Sequence, residues 1–486
     1  MTVDSLLKEA YCESDFDSVE GLGAWFDPAN PSRKVPGLFQ FQNEAQCNLV
    51  LHGALDTESN EGRSRDFPVI CGEVDAGHSV TVFDCVFKSY TIIGGRESSI
   101  RIEYVYGDSW FGGRTFASKS DVAFKEVTFG INNLNWWVGD QVYEHRYEDI
   151  HNVTISVDAA SVFKLFEDEY VEAVIQHEPV VGSTNAGKLS PGFTDHIRVC
   201  IRSKAGVLSF YGDARSFEYY IYRLYQFLVL LVGINPYIYD IRGYGGDFRS
   251  GCYQFRVRRD VQLDKMDKKY DTTAVLLPRS VLGDVDYVAI IEKYFQIYNE
   301  ISTGLTYLAA FSTRTIGYAR NILPEAIYNF EGIEDALYKE ENEQALRPAL
   351  NAENQRILDS IMRVCNNSQK EFLANRFKPR GATLKWKLQL VMDKLSATFP
   401  YVVNREDALA SFLVRARNGF SHRGDGSFDD RYLYVGLVEF MNLLTVSMVL
   451  SECGVPIERL SACLNRDGGA GVGPKINIER CFPLHT

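Results

Sequence analysis

The hydrophobic period of the chain changes once, and that change constrains the fold more than any other feature. In the first half, apolar residues recur at every second position. Ile100, Ile102 and Tyr104 flank Arg101 and Glu103; Val153, Ile155 and Val157 flank Thr154 and Ser156; Ile197, Val199 and Ile201 flank Arg198 and Cys200. A strand sends successive side chains to opposite faces, so this alternation predicts half-buried strands. Stretches such as "VDAGHS", "IIGGRESS" and "VYGDSW" supply the turns between them. A β-sandwich or β-rich mixed fold is expected over about residues 25–205. A helix near 214–233 should follow, then a loop at "RGYGGDFRSG" and a strand at "CYQFRVRR".

From about Asp284 onward the spacing becomes helical. Leu384, Leu388, Val391 and Leu395 share one helix face. Leu409, Phe412, Leu413 and Ala416 share another, and Leu433, Leu437, Phe440, Leu444 and Met448 a third. Several such helices joined by short links make a bundle. The chain is therefore expected to be a multidomain α+β protein. Residues 1–280 are expected to form a β-rich N-terminal domain, 281–464 an all-α helical bundle, and 465–486 a loop-like tail. In that tail "GGAGVGPK" is no phosphate loop, because Pro474 stands where lysine should and neither Ser nor Thr follows Lys475.

A length of 486 residues calls for more than one core. A net charge of −13 argues against a general nucleic-acid coat or an anionic-membrane binder. The ten cysteines form no CxxC pair, so free thiols in a reducing compartment are expected, with no metal and no cofactor. "MTVDSLLKEAYCESD" lacks a basic n-region and an apolar h-region, which points to the cytoplasm. "FEYYIYRLYQFLVLLVG" and "YLYVGLVEFMNLLTVSMVL" are apolar but carry Arg223, Gln226, Glu439 and Asn442. They read as buried helices and not as membrane spans.

The residue pattern richest in chemistry is "LVRARNGFSHRGDG", Leu413 to Gly426. Asn404 is expected to cap its helix, with Glu406 and Asp407 in the first turn. Gly419 should weaken the helix near Phe420, and Gly424 and Gly426 should stop it. Arg417, Asn418 and His422 then lie in the last turn or just beyond. On a helix Asn418 and His422 are about 40° apart but Arg417 is about 140° from His422. The helix must therefore end early or bend, or a second copy must complete the site. Between Lys370 and Asp425, eleven basic residues face five acidic ones, a local excess of six on a chain that is otherwise acidic. Arg415, Arg423, Lys385 and Lys387 are the candidate RNA contacts of this basic island.

Histidine moves protons near neutral pH, arginine forks onto phosphate oxygens, and asparagine orients a hydroxyl, a phosphate or the imidazole. RNA carries its own nucleophile, the 2′-hydroxyl. A His–Arg pair can thus cleave it without metal, leaving a 2′,3′-cyclic phosphate. The Arg-x4-His spacing alone is cheap: Arg146 and His151 in "RYEDIH" share it, next to Glu148 and Asp149. Helix-end placement, the neighbouring Asn and the basic surroundings single out Arg417, Asn418 and His422.

At these residues the chain resembles the HEPN superfamily, whose RNases carry Arg, four to six residues, then His. "TLKWKLQLVMDKL" resembles the preceding helix of the ApeA-like branch. "GAWFDPANPSRKVPGLFQF", "LVLHGAL" and "VICGEVDAGHSVTVFDC" resemble the β-rich N-terminal domain of ApeA-type proteins. Gly419 departs from the bulkier residue expected there. The resemblance implies a helical HEPN bundle that dimerises so that two motifs face one cleft. It also implies an anti-phage factor acting by abortive infection, an endoribonuclease on host RNA with tRNA as a candidate, and a phage trigger sensed by the N-terminal domain. Two other readings stay open. The bundle could serve only dimerisation or RNA binding. The β-rich half could carry the main role, with Trp136 and Trp137 of "NNLNWWVGDQ" on opposite faces of a strand, one of them towards ligand.

Overall fold

The computed structural model describes residues 18–42, 46–56, 65–74, 77–93, 99–139, 143–147, 153–157, 163–181, 193–212, 214–233, 238–245, 252–257, 275–283, 285–313, 319–342, 356–357, 359–363, 365–366, 369, 382–422 and 431–483. These residues group into two compact units. One takes those within Met1–Asn132, Val142–Tyr222 and Tyr237–Lys269; the other takes those within Asn133–Gln141, Arg223–Pro236 and Tyr270–Thr486.

The first unit is built from antiparallel strands. Strands β1 (Ser18–Phe26), β2 (Val35–Gln42), β3 (Gln46–Leu51), β4 (Phe67–Val74), β5 (His78–Ile93) and β6 (Ser99–Val105) pair in the ring β5-β4-β1-β2-β3-β6-β5. That ring is a closed six-stranded barrel. Closure is possible because β5 is 16 residues long. Its first half pairs with β4, and its second half pairs with β6 from Val86 onward, across a register shift between Phe87 and Ser89. The alternation read from the sequence is obeyed on β6. Ile102 and Tyr104 are buried, while Glu103 turns outward to Lys88 at 2.8 Å. Inside the barrel Trp25 stacks on Phe39 at 5.9 Å, and Phe39 on Tyr106 at 5.5 Å. Gly72 lets Trp25 lie flat across β4: a Cβ there would sit 2.4 Å from the indole.

The same sheet continues through β7 (Asp108–Gly112), β9 (Glu126–Ile131), β12 (Phe163–Glu167), β13 (Val171–Val181), β14 (Phe193–Ser203), β16 (Ile238–Tyr244) and β17 (Cys252–Val257). Beyond β5 their order is β7-β17-β16-β9-β14-β13-β12. Short ladders join β8 (Ala123–Phe124) to β15 (Leu208–Ser209) and β10 (Tyr143–Tyr147) to β11 (Val153–Val157). On β14 the half-buried expectation fails. Ile197, Val199 and Ile201 are buried as expected, but so are Arg198 and Cys200 on the opposite face. Arg198 tolerates burial because Asp240 of β16 lies 2.6 Å away, and Arg242 reaches the same carboxylate oxygen at 2.6 Å. Burial alone would raise the Asp240 carboxyl; the two guanidiniums outweigh it and bring it down to about 2.

"NNLNWWVGDQ" is not a strand. It forms a one-turn helix, α1 (Leu134–Val138), set between two left-handed residues, Asn133 (φ 65°) and Gly139 (φ 72°). The tryptophans are therefore about 100° apart and not opposed. Trp137 is fully buried with its ring 5.7 Å from Tyr287, so it is a core residue of the second unit and no ligand platform.

The second unit is helical: α2 (Phe217–Val232) from Arg223 onward, α3 (Arg279–Leu282), α4 (Tyr287–Thr313), α5 (Ala319–Leu337), α6 (Leu384–Lys394), α7 (Glu406–His422), α8 (Arg431–Glu452), α9 (Ile457–Leu464) and α10 (Val472–Cys481). The three apolar stripes read from the sequence are all buried. Helix α8 is apolar on nearly every side, and its segment Leu433–Glu452 is long and apolar enough to cross a membrane by composition. It is 83% buried, and it is the central packing element of the bundle. The tail is not loop-like throughout. Helix α10 buries Ile478 and lies against α8, where a Cβ on Gly436 would meet Asn477 at 2.6 Å. Pro474 sits in its first turn, where a missing N–H costs nothing.

Candidate functional site

Helix α7 carries the residues singled out by the sequence. Its start differs from the expected one. Asn404 is left-handed (φ 65°) and lies just outside the helix, and its N–H donates to the Glu406 carboxylate at 3.1 Å. The Arg405 carbonyl accepts the first helical bond from the Leu409 N–H, so Arg405 holds the cap position. The Arg405 side chain donates to the carbonyls of Tyr401 and Phe482, tying the helix start to the end of the tail. Leu409, Ala410, Leu413 and Ala416 then anchor the buried face.

The end also differs. Gly419 does not break the helix, which continues to His422. With the helix unbroken from Arg417 to His422, the two positions stay about 140° apart on its surface. Of the ways to bring them together, an early stop is ruled out. Asn418 and Arg415 are exposed. Arg423 and the side chain of His422 lie outside the described residues.

Arg417 is drawn towards α5. Its guanidinium donates to the Glu331 carboxylate at 2.9 Å and lies over the Tyr328 ring, 4.8 Å from the centroid. The Arg417 and Glu331 side chains are 29% and 24% exposed, so the pair is neither sealed in the core nor free in water. Sequence reasoning missed both α5 residues. Their spacing, three apart on one helix face, is visible, but a contact across 86 residues is not. Tyr328 also borders a cleft of about 420 Å³ between α4 and α5, with Glu300 and Glu325 at its sides and Ile301 and Ile333 among its apolar lining.

The lysines expected to contact RNA are placed differently. Lys387 is a correction: it is 4% exposed, hydrogen-bonded to Asp335 and 3.4 Å from the fully buried Glu334. Its ammonium holds α6 to α5 and is not presented to a ligand. Lys385 pairs with Asp407 at 2.7 Å in the first turn of α7, ten residues and about 15 Å along the helix from Arg417. Nearby is a shallow cleft of about 410 Å³ lined by Asp393, Glu406 and Asp407, which would repel phosphate. Of the three candidate contacts among the described residues, Arg415 is the one both exposed and close along the helix to Arg417. Among the described residues, no three His, Cys, Asp or Glu side chains gather as a metal-holding group.

Comparison with known proteins gives two matches. The family model "ApeA N-terminal domain 1" matches residues 20–287, more than half of the chain. The model "Apea-like HEPN" matches residues 324–459, from α5 into α9, and so includes Arg417, Asn418, His422 and Glu331. No curated protein and no solved structure gives a match. The order of the matches is that of the two structural classes, strands first and helices second. The chain belongs to the ApeA family, with an ApeA N-terminal domain followed by an Apea-like HEPN domain.

Proposed function

We propose that this chain is an anti-phage HEPN endoribonuclease that cleaves host RNA, tRNA among it, and stops infection at the cost of the infected cell. The pairing of an ApeA-type N-terminal domain with a HEPN domain supports a role in phage defence, and HEPN domains are generally RNase-associated. The observation that carries the reading is Arg417, Asn418 and His422 on the last turns of α7 inside the matched HEPN region.

The chemistry is set by the side chains. His422 takes the proton of the 2′-hydroxyl, whose oxygen attacks phosphorus and displaces the 5′-oxygen, and the imidazolium so formed gives up a proton to that leaving oxygen. Arg417 stabilises the charge growing on the phosphoryl oxygens, and Asn418 orients the reacting groups. The products are a 2′,3′-cyclic phosphate and a 5′-hydroxyl, with no metal required. DNA, lacking the 2′-hydroxyl, is not cut. The 140° separation favours a site shared between two copies, so the active form is a homodimer joined through the HEPN domain. The N-terminal domain senses a phage-derived trigger.

The test is made in cells. Wild type and His422→Ala are expressed with and without phage, and RNA 5′ and 3′ ends are sequenced. New cyclic-phosphate ends should appear with wild type after infection and be missing with the variant. A second reading, an RNA-binding or dimerising module without catalysis, draws on the engagement of Arg417 by Glu331. It predicts RNA captured on the protein with no new ends in either strain.

A further inference from the structure

The Arg417–Glu331 contact bears on how the proposed site would be held in check, a question that rests on the nuclease reading. An arginine that is to grip a phosphodiester needs free N–H groups on the edge of its guanidinium. Here one terminal nitrogen of Arg417 is committed to a carboxylate of its own chain at 2.9 Å. The Tyr328 ring beneath it, 4.8 Å away, fixes the guanidinium where that carboxylate can reach it. A carboxylate and a phosphodiester present the same thing to a guanidinium: two oxygens sharing one negative charge.

We infer that Glu331 is a built-in mimic of the substrate phosphate, which occupies Arg417 in the resting protein and must be displaced before RNA is gripped. Three features support a lock over a permanent brace. Both partners retain access to water, 29% and 24% exposed, so a competing anion can reach the pair. A pair exposed to this degree is weak, and its exchange is correspondingly easy. Glu300 and Glu325 line the cleft that Tyr328 borders, so the ring that holds the Arg417 guanidinium has carboxylates on its other side, which disfavour a phosphodiester there.

The experiment uses the full chain and two readouts. Affinity is measured for a fully 2′-O-methylated RNA oligonucleotide, which has no nucleophile and cannot be cut. Cleavage is measured on unmodified RNA of the same sequence. Glu331→Gln keeps the size of the side chain and removes its charge, and Glu331→Ala removes the contact altogether. Both variants should bind the probe about five-fold more tightly than wild type. The gain should vanish when Arg417→Ala is added. Cleavage without any trigger should rise by a similar factor.

Unchanged or weaker binding in both Glu331 variants overturns the inference, as does a gain that persists without Arg417. A fall in cleavage by folded Glu331→Gln also overturns it, and would make Glu331 a residue that positions Arg417. If neither wild type nor variant cuts RNA, the nuclease reading fails, while the affinity series still decides whether Glu331 competes for Arg417.

Discussion

Lys385 and Lys387 stand two residues apart in the sequence, and the structure gives them opposite energetic roles. Lys387 is 4% exposed and is held by Asp335 and Glu334; Glu334 is fully buried and also accepts from the Asn342 amide at 3.0 Å. Replacing Lys387 by Ala leaves Glu334 as a buried carboxylate without its cation, a loss of about 3–5 kcal/mol. At about 2–4 °C per kcal/mol for a unit of this size, the helical unit should melt about 6–20 °C lower. The Lys385–Asp407 pair is 40% and 74% exposed, so Lys385→Ala should cost at most about 1 kcal/mol.

The pH dependence sharpens the contrast. Burial already holds the Glu334 carboxyl above its usual value of 4.5, against the lowering pull of Asn342 and Lys387. Removing Lys387 takes one lowering influence away, so the folded-state value rises further. A carboxyl raised in the folded state favours folding below its unfolded value and loses that contribution as pH rises through the folded value. The Lys387→Ala deficit should therefore be small near pH 4 and grow towards pH 8. Thermal unfolding followed by circular dichroism, with hydrogen exchange to assign the transition to the helices, measures both. Equal melting of the two lysine variants across that range would refute the assignment of Lys387 as a buried counter-ion.

Two further changes probe the β-rich unit. Asp240→Asn should destabilise it by about 3–5 kcal/mol, because Arg198, 2% exposed, loses its nearest carboxylate and keeps only Glu178 at 3.7 Å; Asn is chosen because it tolerates φ +49°. Since Arg198 and Arg242 hold Asp240 at about 2, against 3.8 unpaired, its contribution is complete above about pH 4 and lost as pH falls towards 2, and acid titration should show this step in wild type only. Gly72→Ala should cost about 1–3 kcal/mol by forcing Trp25 off β4, read as a red-shifted, weakened tryptophan emission together with a lower melting temperature.

Much of this architecture was legible in the sequence because periodicity reports burial. The alternation at Ile100–Tyr104 and the stripes of α6, α7 and α8 depend on one face being dry, and local sequence records that. What was not legible depends on partners distant in sequence. Arg198 looks like an outward residue until Asp240, 42 residues on, is placed beside it. Lys387 looks like a surface cation until Glu334 and Asp335 are brought against it. Helix α10 was obscured by Gly471, Gly473 and Pro474, whose weak propensity is overridden by the burial of Ile478. At the candidate site the order Arg417, Asn418, His422 could be read directly, whereas Tyr328 and Glu331 could not. Barrel closure by β6 pairing with both β3 and β5 had no local signature.

The most direct test of the proposed nuclease is cleavage of total RNA by the purified full-length protein in EDTA, with trigger supplied by lysate of infected cells. Wild type, Arg417→Ala and His422→Ala are compared at matched folded concentration. Wild type should cut and leave 2′,3′-cyclic phosphate ends, with a loss of about 10²-fold or more in each variant. Equal cutting by all three proteins would contradict the roles given to Arg417 and His422.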